Sequence, residues 1–171
     1  MDLTAKIRDI PDFPKPGILF KDVTPLLADG PAFLEAVDRL AEGVARGRPE
    51  AIVAIESRGF IFGAAVATRL GVGMIPVRKP GKLPYRIRRE AYSLEYGSDA
   101  LEMHEDAIAP GAAVAIVDDV LATGGTAAAT MRLVEHAGGR VVGLSFLIEL
   151  AFLRGRARLA PHPVSAVLCY D

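Results

Sequence analysis

Apolar runs rich in Val, Ile and Ala alternate along this chain with stretches in which apolar residues recur at three- and four-residue spacing. The first pattern is typical of buried strands and the second of helices. Their alternation favours a mostly parallel central sheet flanked by helices, an α/β fold. We predict helices over residues 31–46, 60–70 and 125–137, and strands over residues 51–55, 73–77, 112–117, 140–148 and 164–168. We expect one domain over residues 1–171.

Two segments interrupt this alternation. Residues 10–17 contain three prolines and a glycine, so this part of residues 1–30 cannot form a helix or a central strand, and we expect a stiff extended arm. Residues 78–97 have little apolar periodicity, and six cations lie between residues 78 and 89. This second segment predicts a long loop or irregular hairpin that projects from the sheet.

Composition excludes several classes of protein. The chain has 171 residues, with 20 Lys and Arg against 21 Asp and Glu, and 51% of its residues are apolar. This balance argues against a basic nucleic-acid-binding protein and against a disordered chain. The apolar tract at residues 141–153 is interrupted by Glu149 and is shorter than the roughly 20 residues that span a bilayer. The charged N-terminus is unlike a signal peptide. We therefore expect a cytoplasmic protein without membrane or nucleic-acid partners.

The most informative stretch follows the strand predicted at residues 112–117. Asp118 and Asp119 come directly after that strand, and Ala122-Thr-Gly-Gly-Thr126 leads into the next helix. In open parallel sheets, ligands bind at the carboxyl ends of the strands, and a helix start with small residues offers free N–H groups to a phosphate. The stretch therefore predicts a phosphate site beside two acids that suit a polyol or a metal-bound ligand. The simpler alternative is that both acids are solvent-facing turn residues.

This stretch resembles the phosphoribosyl pyrophosphate signature of the type I phosphoribosyltransferases. Further segments resemble the adenine-specific members of that family, namely residues 10–27, 56–63, 78–84 and 92–97. The resemblance implies the fold of that family, with a hood segment at residues 1–30 and a flexible basic lid loop at residues 78–97. It also implies transfer of the 5-phosphoribosyl group from phosphoribosyl pyrophosphate to adenine, which gives AMP and pyrophosphate.

The resemblance assigns roles to individual residues. The ribose-phosphate site comprises Asp118, Asp119, Ala122, Thr123, Gly124, Gly125 and Thr126. The pyrophosphate site comprises Ser57, Arg58, Arg78, Lys79 and Lys82. Adenine is expected to contact Leu19, Phe20 and Lys21, with the Phe20 ring stacked on the base, and Glu95 is expected to be the catalytic residue that moves a proton at the purine.

The resemblance also implies Mg²⁺ and a homodimer in which lid residues complete the neighbouring site. We expect no metal site made by the protein alone, with Mg²⁺ held mainly by substrate and water. His104, His136 and His162 lack the spacing of metal ligands. The single cysteine, Cys169, is expected to be a small buried apolar residue.

Several alternatives remain open at this point. Another purine or orotate phosphoribosyltransferase would share the ribose-phosphate signature, and a non-catalytic regulator could bind the same phosphosugar. Phe20 could instead be a core residue beneath the arm, and Arg58 could form a surface ion pair. The cations Arg86, Arg88 and Arg89 are expected to be solvated surface, as are residues 152–159.

Overall fold

A computed structural model of the chain describes residues 1–93 and 97–171. The elements in chain order are β1 (Arg8–Ile10), β2 (Phe20–Asp22), α1 (Thr24–Ala28), α2 (Gly30–Ala45), β3 (Ala51–Ile55), α3 (Arg58–Leu70), β4 (Gly73–Val77), β5 (Ile87–Ser93), β6 (Ser98–His104), β7 (Ala113–Leu121), α4 (Gly125–His136), β8 (Arg140–Leu150) and β9 (Val164–Tyr170). Short 3₁₀ helices cover Thr4–Lys6, Ala151–Leu153 and Gly155–Leu159.

The centre of the molecule is a parallel sheet with the strand order β4-β3-β7-β8-β9. Its strands are apolar along nearly their whole length because helices cover both faces. On one face, α1, α2 and α3 bury side chains such as Leu26, Leu40 and Phe62. On the other, α4 and the β5-β6 hairpin bury Leu133 and Leu101. The predicted α/β class is confirmed.

Most of the predicted elements occur within a few residues of their expected positions. Strands β3 and β4 have the predicted bounds, and α2 begins after Asp29, whose side chain accepts a hydrogen bond of 3.1 Å from the Ala32 N–H. Helix α3 begins at Arg58, earlier than predicted, and ends at Leu70, where the following Gly71 adopts the left-handed conformation with φ +70°.

The predicted end of β7 at residue 117 is wrong. The strand continues through both acids to Leu121. It does so because β8 runs beside it, pairing Asp118 with Phe146 and Leu121 with Glu149. The two acids therefore lie within a strand rather than in the turn after it.

The prediction of irregular structure is wrong for part of the basic segment. Strand β5 pairs with β6 in unbroken antiparallel register, from Ile87 opposite His104 to Ser93 opposite Ser98. The irregular backbone before this hairpin is limited to residues 78–86, apart from a single bridge between Arg78 and Glu102. The hairpin packs against α4.

The proline-rich arm connects two short strands. Strands β1 and β2 pair antiparallel, with Ile10 opposite Phe20. Residues 11–19 between them are exposed, as expected for a segment that cannot join a central sheet. No helix in the described part of the chain is long and apolar enough to cross a membrane.

Two expectations about the C-terminal region are wrong. Cys169 is exposed rather than buried, because β9 is an edge strand of the sheet. The segment 152–159 is not only surface, since Gly155 and Leu159 are buried.

Candidate functional site

A cavity of about 360 Å³ opens at the carboxyl ends of β3 and β7. It brings together side chains and backbone from the turn after β3, the end of β7, the start of α4 and the basic loop. Of the predicted site residues, it is lined by Ser57, Arg58, Lys79, Asp118, Asp119, Ala122, Thr123, Gly124, Gly125 and Thr126. The peptide bond between Glu56 and Ser57, also at this cavity, is cis.

The loop from Ala122 to Gly124 turns the chain from β7 into α4. Gly124 has φ +81°, and a β-carbon there would lie 2.5 Å from the Gly155 carbonyl oxygen, so only glycine fits this position. The next residues form the first turn of α4, whose N–H groups have no partner within the helix. The cavity therefore has a helix N-terminus in its wall, which favours a bound anion.

Asp118 and Asp119 are not solvent-facing turn residues, so that alternative is wrong. Asp119 is only 6% exposed, and its carboxylate accepts a hydrogen bond from Arg58 Nε. Asp118 Oδ1 accepts a hydrogen bond of 2.9 Å from the Asp119 N–H. Burial, together with the neighbouring Asp119 carboxylate, raises the pKa of Asp118 well above its ordinary value.

Arg58 connects the acid pair to the hood segment. Besides its contact with buried Asp119, its guanidinium carbon lies 5.0 Å from the centre of the Phe20 ring, within cation–π range. An ion pair confined to the surface is therefore a poor description of Arg58. Arg58 therefore contacts both the predicted adenine segment, through Phe20, and the predicted ribose site, through Asp119.

The basic loop is held by Glu56, which sequence reasoning did not assign to the site. The Glu56 side chain is 5% exposed and accepts hydrogen bonds from Arg78 Nε at 2.6 Å and Lys82 Nζ at 2.7 Å. Burial alone would raise the pKa of Glu56, but these bonds and one from the Lys79 N–H outweigh it and lower that pKa. Arg78 and Lys82 are therefore drawn to the edge of the cavity that Glu56 lines.

Lys79 has a second set of partners on the β5-β6 hairpin. Its ammonium contacts the Asp99 carboxylate and donates a hydrogen bond of 3.0 Å to the Tyr92 hydroxyl. The bond from Lys79 lowers the pKa of Asp99. Tyr92 also lies 3.5 Å from the Thr126 hydroxyl, so it connects the hairpin to the start of α4. Sequence reasoning assigned no role to Tyr92 or Asp99.

The hood residues do not line this cavity. Leu19 is 49% exposed, and the partly buried Phe20 packs edge-to-face on Phe13 with ring centres 5.1 Å apart. The Lys21 ammonium contacts Asp9 at 2.7 Å and lies 3.9 Å from the centre of the Tyr170 ring. Since neighbouring residues of a strand point to opposite faces, Lys21 can offer only its backbone on the Phe20 side.

Two further sequence predictions concern a catalytic residue and a metal. Glu95 lies outside the described residues. Within residues 1–93 and 97–171, no group of three or more His, Cys, Asp or Glu side chains could hold a metal ion.

Comparison with known proteins identifies relatives over the full length of the chain. The family profile for the phosphoribosyl transferase domain matches residues 26–164. An adenine phosphoribosyltransferase from Desulfitobacterium hafniense is 57% identical over 170 residues, which covers 99% of this chain and 98% of the relative. One from Roseiflexus is 59% identical over 169 residues, with 99% and 98% covered.

Solved structures agree with these sequence relatives. The adenine phosphoribosyltransferase from Rhodothermus marinus superposes with a TM-score of 0.94 at 55% identity, covering 98% of this chain and 96% of its own. The enzyme from Saccharomyces cerevisiae, crystallised with adenine and an imino-altritol bisphosphate, has a TM-score of 0.91 at 42% identity, with 98% and 97% covered.

Proposed function

Because this chain belongs to the adenine phosphoribosyltransferase family, we infer that it transfers the 5-phosphoribosyl group from phosphoribosyl pyrophosphate to adenine. The products are AMP and pyrophosphate, and the reaction salvages a purine base. The observation that carries this inference is identity of 55–59% to adenine phosphoribosyltransferases over 98–99% of the chain.

The 5-phosphate end of the substrate is proposed to bind at the start of α4. The N–H groups of its first turn and the hydroxyls of Thr123 and Thr126 suit phosphate oxygens, because hydrogen bonds to a charged acceptor are about twice as strong as neutral ones. Asp118 and Asp119 lie on the same cavity wall, within β7. We assign them to the two ribose hydroxyls, which need acceptors.

The pyrophosphate is proposed to lie between the turn after β3 and the basic loop. Arg58 and Lys79 line the cavity from these two elements, and Glu56 holds Arg78 and Lys82 at its edge. Cations placed on both sides stabilise the charge that develops on the departing diphosphate. Adenine is assigned to the hood, where the partly buried Phe20 ring offers a flat stacking surface and the backbone of Leu19 and Lys21 offers donors and acceptors.

The transfer itself breaks the bond between ribose C1 and the pyrophosphate oxygen and forms a bond from C1 to a nitrogen of the adenine imidazole ring. The ribose passes through an oxocarbenium-like state, and the proton of the attacking nitrogen must leave. We propose that Glu95 accepts this proton, because residues 92–97 resemble the corresponding segment of the family. A positioned general base contributes about 10²–10⁴-fold in rate.

Mg²⁺ is proposed as the cofactor, bound mainly through the diphosphate and water. Hard oxygen ligands suit Mg²⁺, and it usually keeps several waters when it binds beside substrate phosphates. Asp118 and Asp119 would act on such an ion indirectly, because their carboxylates would bind the ribose hydroxyls that the ion contacts. When bound, Mg²⁺ neutralises charge on the diphosphate.

A cytoplasmic homodimer is proposed as the working form. An apolar groove between α2 and α3 supports this, because Leu34, which is 59% exposed, lines it together with Phe33, Val37, Ala64 and Ala65, and exposed apolar patches mark interaction surfaces. Ile61 on α3 is also 42% exposed. Ile61 follows Phe60, whose ring centre lies 5.9 Å from the Arg78 guanidinium. A second copy docked there would meet the basic loop. The cytoplasmic location is consistent with a chain whose one cysteine cannot form an internal disulfide.

Turnover with different bases tests the proposed function. With phosphoribosyl pyrophosphate and Mg²⁺, adenine should be converted with a kcat/KM at least about 10²-fold above that of hypoxanthine, guanine or orotate, because donors and acceptors that fit one base reject another. Comparable rates with hypoxanthine would contradict adenine specificity. Binding of phosphoribosyl pyrophosphate without turnover of any base would favour the non-catalytic regulator.

A further inference from the structure

The short helix Gly155–Leu159 lies directly behind the loop that turns β7 into α4. A β-carbon at Gly155 would lie 2.2 Å from the Ala122 carbonyl oxygen, 2.9 Å from the Gly124 nitrogen and 3.0 Å from the Thr123 carbonyl carbon. All three of these atoms belong to the backbone, so no side-chain rotation could make room. The backbone of Gly155 is therefore in direct contact with the loop.

This contact is reciprocal, and it does not arise from an unusual conformation of Gly155. A β-carbon at Gly124 would lie 2.5 Å from the Gly155 carbonyl oxygen. Gly124 needs glycine for its positive φ as well, whereas Gly155 does not have a positive φ. Glycine at position 155 is thus required for the close approach of the two backbones.

The contact is fixed by an ion pair anchored in the sheet. Arg156 Nε donates to Glu149 Oε1 at 3.0 Å, Nη2 contacts Glu149 Oε2, and Nη1 donates to the Val164 carbonyl at 2.5 Å. Glu149 is 6% exposed and pairs across the ladder with Leu121, the last residue of β7. Because Arg156 contacts Glu149 through two of its nitrogens, it holds its neighbour Gly155 beside the end of β7, where the loop begins.

We propose that Gly155, held by the Glu149–Arg156 pair, is a positioning residue for the 5-phosphate end of the substrate. It sets the position of residues 122–124 and thereby aims the first N–H groups of α4 at the phosphate. This deepens the proposed function, on which it rests. The atoms that a β-carbon at Gly155 would meet all belong to residues 122–124, which are not part of the proposed pyrophosphate and adenine sites.

The test compares ligands that carry the 5-phosphate with ligands that lack it. For Gly155→Ala, the KM of phosphoribosyl pyrophosphate and of AMP in the reverse reaction should rise about tenfold, equivalent to one charged hydrogen bond. The KM of adenine and of pyrophosphate should stay unchanged. The matched control is Gly143→Ala on β8, where a β-carbon would meet nothing closer than 3.8 Å.

Arg156→Lys provides a second variant in case Gly155→Ala fails to fold. Lysine keeps the charge but loses the two-pronged contact, so the dissociation constant of ribose 5-phosphate, measured by calorimetry, should rise above that of the control. The proposal is overturned if the folded variant binds ribose 5-phosphate like Gly143→Ala, or if all four KM values change together. Failure of the wild type to turn over adenine would instead contradict the proposed function, and ribose 5-phosphate binding would still report on Gly155.

Discussion

Gly59, in the first turn of α3, leaves room for the carboxylate of Asp118. A β-carbon at Gly59 would lie 2.4 Å from Asp118 Oδ1, about 1 Å short of the 3.4 Å at which ordinary contact begins. Since that atom is the end of a side chain, we expect Gly59→Ala to displace the carboxylate rather than the backbone. The displacement breaks the hydrogen bond from the Asp119 N–H, at a cost of about 0.5–1.5 kcal/mol.

In the free energy of unfolding, this cost should be largely offset by the gain from replacing a glycine. In activity, nothing offsets the displaced carboxylate. Replacing glycine by alanine in a compatible backbone stabilises a fold by about 0.4–1 kcal/mol, so Tm should change by no more than about 4 °C. A misplacement of about 1 Å in a substrate-positioning group can cost about 10²-fold in rate. We therefore expect kcat/KM for phosphoribosyl pyrophosphate to fall between about 10- and 100-fold. Steady-state AMP formation and thermal unfolding measure the two quantities.

Gly73→Ala is the matched control, because a β-carbon at Gly73 would meet no atom within 4 Å. If Gly59→Ala and Gly73→Ala had the same kcat/KM, the position of the Asp118 carboxylate would not matter for the reaction. If Gly59→Ala instead lowered Tm far more than the control, the steric conflict would fall on the backbone, and the reasoning about a yielding side chain would be refuted.

Three further predictions concern acidic residues of the site. Replacing Asp118 and Asp119 together by Asn should raise the KM of phosphoribosyl pyrophosphate, and unchanged kinetics would remove them from ribose binding. Glu95→Gln should lower kcat by about 10²–10⁴-fold with little change in KM, whereas an unaltered kcat would exclude it from proton transfer. The lowered pKa of Glu56 stabilises the fold above the ordinary pKa of 4.5, and this contribution is lost as pH falls through the folded value. Urea unfolding should therefore show wild type more stable than Glu56→Gln near neutral pH, with the difference vanishing in acid; a difference independent of pH would contradict this.

The parts of the fold that the sequence predicted well are those defined by local pattern. Strands β3 and β4 are short apolar runs bounded by turn residues, and their bounds were predicted correctly. The end of β7 was not, because paired acids are typical of turns and only the neighbouring β8 keeps them in a strand. Along strand β6, polar and apolar residues do not alternate regularly. Glu102, in the middle of this strand, is buried and accepts a hydrogen bond of 3.0 Å from the Gly81 N–H.

The same distinction applies to the site. Apart from Lys79, the residues that line the cavity at the ends of β3 and β7 belong to two contiguous motifs, which the sequence displays directly. The partners of the basic loop do not, because Glu56 and Arg78 are far apart in the sequence and only the parallel pairing of β3 with β4 brings their strand ends together. Gly155 gives no sequence signal either, since its role depends on a backbone contact with Gly124.

The charge balance of the site determines how a polyanion can enter it. Each of the four cations assigned to pyrophosphate already contacts a carboxylate, as shown by the pairs Arg58–Asp119, Arg78–Glu56, Lys79–Asp99 and Lys82–Glu56. These cations are between 35% and 51% exposed, whereas the carboxylates of Asp119 and Glu56 are buried, so losing their cations would leave a buried charge unpaired. We therefore expect a diphosphate to bind the exposed side of these cations while the carboxylates keep their contacts. The carboxylates hold the cations close to the cavity, so less side-chain freedom is lost when the diphosphate binds. A chain with almost no net charge can thus bind a polyanion, because its positive charge is local and already positioned.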